Sequence, residues 1–99
     1  MKVNTHSENV LIQSAMYADI LGVAKLLVGG VNPNCRDAEG MTPLMIASVG
    51  NHGIIIALLI LAGADVNAVG PVGMTPLAMA RANRGSSEAE AMLVLGGAE

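Results

Sequence analysis

The residues with reactive side chains are few and scattered. The imidazoles are His6 and His52, and Cys35 is the one cysteine. A lone thiol forms neither an internal disulfide nor, alone, a zinc site, and a small hydrophobe near a turn is its plainer reading. The run Ser86-Ser87-Glu88-Ala89-Glu90 sets hydroxyls beside carboxylates. On a helix, however, Glu88 and Glu90 point to different faces and cannot share a substrate. Ser87 with Glu90 three residues later reads instead as a helix-capping box. The stretch "GPVGMTPL" (70–77) has the glycines of a phosphate loop without its lysine, and it precedes the wrong element. No set of nucleophile, base and electrophile emerges. The expectation is therefore a protein that is no enzyme, with no metal site and no cofactor.

Composition narrows the choice further. The chain has 99 residues, enough for one domain. Apolar residues make up 53% and charged residues 13%, with no Phe, no Trp and one Tyr. The core must then be close-packed from Leu, Ile, Val, Ala and seven Met. A net charge of −3 without a basic run leaves no electrostatic footprint for nucleic acid. The missing rings remove base stacking as well. The first ten residues, "MKVNTHSENV", have no apolar stretch of signal-peptide length. The greasiest run, "GIIIALLILAGA" (53–64), is too short for a bilayer, which takes roughly 20 residues, so no membrane insertion is expected.

The elements that would position any site are written as a repeat. "GMTPL" occurs at 40–44 and again at 73–77, an offset of 33. Ala47 then matches Ala80, and "GADVN" (63–67) matches "GVNPN" (30–34). The single domain 1–99 thus divides into units of about 4–36, 37–69 and 70–99. Within a unit, Thr42 suits a helix N-cap, and Pro43 suits the first helical position, where its missing N–H costs nothing. A first helix is expected from about 43 to 50, stopped by Asn51, and a second from about 53 to 61, stopped at Ala62-Gly63. The segment "GADVNAVGPVG" then supplies turn residues. In unit one, Asn9 takes the Thr42 position and Ser14 the Ala47 position. In unit three, "GGAE" (96–99) fits the Gly-Ala-Asp pattern best with one extra residue inserted, but an unbroken offset of 33, which aligns Gly96 with Gly63, is preferred through the second helix. It sets Ala89, Met92 and Leu93 in the core, whereas a one-residue insertion would bury Glu90.

The stretch "DAEGMTPLMIASVGNHGIIIALLILAGADVNA" (37–68) resembles the ankyrin repeat, and the likeness extends over most of the chain. The resemblance implies an all-α helix–turn–helix solenoid with short β-hairpin turns between repeats. It also implies a non-catalytic protein-binding role, with a partner whose identity the residues do not name. An intracellular setting, cytoplasmic or nuclear, goes with it. His52 falls on the family's structural His at the start of the second helix, which implies a capping or turn role. The family's usual His after Thr-Pro-Leu is replaced by Met45 and Ala78, and Asp37 becomes Gly70 in unit three.

Two surfaces are of interest. The resemblance implies a concave groove along the turns and first helices, which carried over by position would present Tyr17 from unit one, beside Glu8 and Met16. Unit two adds Arg36, Glu39, Met41, Val49 and Gly50. Unit three adds Val72, Met74, Ala82 and Asn83. Met adapts to partners, and Tyr and Arg are favoured at interfaces. Met41 and Met74 also have a plainer role, packing turn against turn. The second surface lies on the second helices. There Ile56, Leu59 and Ile60 should face the core, and Ile54, Ala57, Leu58 and Leu61 should form an outer stripe. Leu21, Ala24, Lys25 and Val28 continue it in unit one, and Ser87, Glu90, Ala91 and Val94 in unit three. A stripe so apolar implies a neighbour, and the alternative function is a weak homodimer built on it.

Overall fold

The computed structural model describes residues 4–83 and 87–99, with the side chain of Ser87 set aside. Among the described residues six α-helices follow in order: α1 (His6–Met16), α2 (Ile20–Val28), α3 (Pro43–Val49), α4 (Gly53–Leu61), α5 (Pro76–Ala82) and α6 (Ser87–Leu95). Each odd helix packs on the next even one. α3 lies between α1 and α5, and α4 lies between α2 and α6. The result is three stacked helix pairs in two rows.

Local chemistry explains each start and stop. Thr42 Oγ1 accepts from Met45 N–H at 3.2 Å, and Thr75 Oγ1 accepts from Ala78 N–H at 3.2 Å, with Pro43 and Pro76 opening the helices. Asn51 adopts φ 58° between α3 and α4, as expected of a left-handed stop, and Ala18 adopts the same φ between α1 and α2. Unit one departs from expectation at its start. Asn9 is not the cap but lies inside α1. Thr5 caps instead: its Oγ1 accepts from Glu8 N–H at 3.1 Å, and Glu8 Oε1 accepts from Thr5 N–H at 2.9 Å. This reciprocal box satisfies two orphan donors, so the helix begins a turn early and reaches 11 residues.

The connecting turns are tight. Asp37 N–H donates to Met41 O at 2.9 Å, and Gly70 N–H donates to Met74 O at 2.8 Å. Inside that pairing the first tip has one backbone bond and the second has two, too little for a ladder, and no strand occurs among the described residues. Asparagine side chains stitch the stack. Asn34 accepts from Asp65 N–H at 2.7 Å and donates to Gly63 O at 3.2 Å. Asn67 accepts from Glu99 N–H at 3.0 Å, and Asn51 accepts from Ala89 N–H at 2.8 Å, capping α6 from the preceding repeat.

The last helix corrects the preferred register. Gly63 ends α4 at φ 98°, and its counterpart at φ 95° is Gly97, not Gly96. Ala64 N–H donates to Leu59 O at 2.9 Å, and Ala98 N–H donates to Leu93 O at 2.9 Å. The offset in α6 is therefore 34, with the extra residue falling between α5 and α6. Ala89 and Leu93 are fully buried, as foreseen, and Met92 only partly. Glu90 takes the position of Ile56 without being buried; among the described residues no helix packs on the far side of α6. Glu90 pairs with Arg81 at 3.4 Å. The capping box assigned to Ser87 and Glu90 lies outside the described residues.

The main core runs through all three pairs: Leu11, Ala15 and Val23, then Leu44, Ile56 and Leu59, then Leu77, Ala89 and Leu93. On α4 the buried side chains are Ile55, Ile56 and Leu59, while Leu58 and Ile60 are half-buried against the same core. Leu58 thus leaves the outer stripe, and Ile60 leaves the centre. A helix flanked by α2 and α6 as well as α3 buries more than one stripe.

Candidate functional site

Met41, Val49, Met74 and Asn83 line one shallow depression of about 400 Å³ together with Pro71, Val72, Met79 and Ala82. Met41 and Met74 are equivalent residues of successive turns, and Val49 and Ala82 are equivalent ends of successive helices. The stacking of two repeats is what makes the walls. Its floor is a small cluster apart from the main core, with Met45, Ala68 and Met79 buried and Met41 and Met74 packed on them. Met41 and Met74 pack turn to turn and also line the opening.

Two sequence departures are joined in this floor. Met45 occupies the place of the expected His, and Thr42 N–H points to its sulfur at 3.5 Å. Gly70 lies directly above. A Cβ there would come within 2.6 Å of Met45 Sδ and 3.3 Å of Met79 Cε. In the preceding turn Asp37 Oδ1 accepts from Glu39 and Met41 N–H, each at 2.9 Å. Gly70 has no such acceptor, and its turn closes through a 3-10 turn over Pro71–Gly73. Within that turn Val72 sits at φ 52°, ψ 26°, with 93% of its surface exposed. Left-handed backbone is a true outlier for a β-branched residue and costs of order 1–3 kcal/mol.

The other expected groove residues lie elsewhere. Arg36 is a strap: its Nη1 donates to Gly40 O and Val69 O, each at 2.9 Å, tying one turn to the next. Asn83, which does line the depression, donates through Nδ2 to Val49 O of the preceding repeat. Glu39 is exposed at the second turn, and Tyr17 is 78% exposed just past α1; neither lines the depression. Sequence reasoning missed Pro71 and Met79. The signal was the number of Met near the turns, and the obstacle was that Met79 reads as an ordinary core residue. On the opposite row Leu21, Ile54 and Leu61 are more than half exposed.

The reactive residues have structural surroundings. Cys35 is buried, with Sγ donating a long bond to Glu8 O at 3.9 Å. Burial, helped by the Glu8 charge, pushes its thiol up to about 11. The thiolate that reactivity requires is thereby suppressed. The His52 ring lies over Gly50, where any Cβ would strike it, and it makes no capping hydrogen bond. A turn role fits His52; a capping role does not. Among the described residues no His, Cys, Asp and Glu cluster could hold a metal ion, and no helix is long and apolar enough to cross a membrane.

Residues 11–99 match the family described as ankyrin repeats, in three copies. No curated protein matches the chain.

Proposed function

Because the chain belongs to the ankyrin-repeat family, whose members generally serve as protein–protein interaction modules, we propose that it is a non-catalytic binding module. Its methionine-lined depression receives an apolar segment of a partner protein. The observation that carries this reading is Val72, an apolar side chain held in water by strained backbone at the rim of an apolar hollow. Burying Val72 against a partner returns about 1.5–3 kcal/mol of hydrophobic free energy. Met41, Met74 and Met79 have the unbranched, polarisable chains that adapt to different surfaces. Asn83 adds a polar edge that orients the guest. A cytoplasmic or nuclear setting belongs to this proposal, since a lone thiol stays reduced there.

The test is capture of partners on immobilised protein, followed by titration of the purified partner. Val72→Glu and Met74→Glu each place a charge in the hollow and should weaken binding by a factor of ten or more, about 1.4 kcal/mol. Tyr17→Ala, on the same side but outside the hollow, should have the smaller effect. Equal affinity for wild type and both glutamate variants, with unchanged helical content, would refute the site.

A further inference from the structure

The corrected register of α6 changes the outer face of the even helices. α2, α4 and α6 begin at Ile20, Gly53 and Ser87. Counting from those starts, Leu21, Ile54 and Glu88 share the second position of each helix. Ala24, Ala57 and Ala91 share the fifth. Val28, Leu61 and Leu95 share the last, and they are 90%, 85% and 82% exposed. Leu95 joins this last row only because of the inserted residue; an unbroken offset would have put Val94 there. The face is thus one apolar ridge across all three repeats (Val28, Leu61 and Leu95) and a second, of Leu21 and Ile54, that ends at Glu88, with a valley of alanines between them.

Its charges are few and lie at opposite ends. Lys25 stands on α2 and Glu88 on α6. Both are exposed, and among the described residues neither enters an ion pair. A net charge of −3 and one lysine on this face disfavour an anionic lipid surface. A second copy suits it better. Self-association most often uses two-fold symmetry, with one patch meeting itself. Laying α2 over the α6 of the other copy brings Lys25 of each copy toward Glu88 of the partner subunit. The reverse order sets like against like. The molecule measures 32 × 29 × 22 Å, so one face offers on the order of the 800 Å² per partner of a standard interface.

We infer that the outer face of α2, α4 and α6 is a homodimer interface, with the repeats of the two copies in opposite order. This face is separate from the methionine-lined hollow, and the inference stands apart from the binding role proposed for that hollow.

Sedimentation equilibrium from low micromolar to near-millimolar protein tests it. The wild type should pass from monomer to dimer, and Leu61→Glu with Leu95→Glu should remain monomeric with unchanged circular dichroism. Met74→Glu should dimerise like wild type. Lys25→Glu should weaken the dimer several-fold, and adding Glu88→Lys should restore it. A wild type that stays monomeric overturns the inference, as does a dimer indifferent to Leu61 and Leu95. Failure of the double charge exchange to restore affinity overturns the opposed order. Partition of a monomeric wild type into phosphatidylcholine–phosphatidylserine vesicles would assign the face to lipid and overturn it too.

Discussion

Single residues here are explained by what their side chains touch. Gly70 is required by close approach rather than by backbone freedom, since its φ of −107° is open to any residue. Gly70→Ala is therefore expected to cost about 1–2 kcal/mol, the lower part of the overpacking range, because a thioether end yields somewhat. Pairing it with Met45→Ala should remove most of that added cost, a coupling that a double-mutant cycle in urea measures. Cys35 makes a prediction in pH. Its thiol is raised from 9.0 to about 11 in the fold, so the folded state favours the protonated form. The associated stability is complete below pH 9, falls as pH rises from 9 to 11, and is lost above. Alkylation of Cys35 at neutral pH should accordingly be slow in the native protein and fast in denaturant. Fast native labelling would contradict the burial.

At the scale of elements, the caps decide where helices begin. The Thr5–Glu8 box starts α1, so Thr5→Ala should destabilise by about 0.5–2 kcal/mol. Asn9→Ala should be near neutral, because Asn9 is exposed within the helix. Thermal unfolding of the two variants separates the observed start from the one that strict periodicity assigns. The sequence "THSE" carried this signal in full view, but matching unit one to "MTPL" drew attention to Asn9. Periodicity assumes that units share one start. Unit one lacks the Thr-Pro start of the others and begins instead where its own cap, the Thr5–Glu8 box, lies.

The whole molecule is a stack in which each pair is buried by its neighbours. Leu59 is fully buried at the centre, between α2, α3 and α6. Leu59→Ala should cost about 2–5 kcal/mol, a large fraction of the total stability of a domain this size. Equilibrium urea curves followed by circular dichroism should show one transition moved to lower denaturant. A separate early transition would mean that the repeats unfold independently. The asparagine stitches Asn34, Asn51 and Asn67 each join successive repeats, consistent with a single cooperative unit.

The residues alone established the repeat, the helix pairs, the Thr-Pro starts and the glycine or asparagine stops. These rest on short-range chemistry: a hydroxyl three residues from an amide, a proline at a helix start, a left-handed backbone. Residues alone also indicated Met41, Val49, Met74 and Asn83 as neighbours on one side, since equal positions in equal units share a face. What they could not resolve was anything set by contact between units. The placement of Glu90 and Leu95 turned on one residue inserted between α5 and α6, which "GGAE" (96–99) marks but helix periodicity does not. The half-burial of Leu58 came from flanking helices that a single-helix pattern ignores. The match of Gly70 to Met45 joined residues 25 positions apart in the chain. Packing acts through space at distances of a few ångströms, and spacing along the chain records it only where successive units are alike.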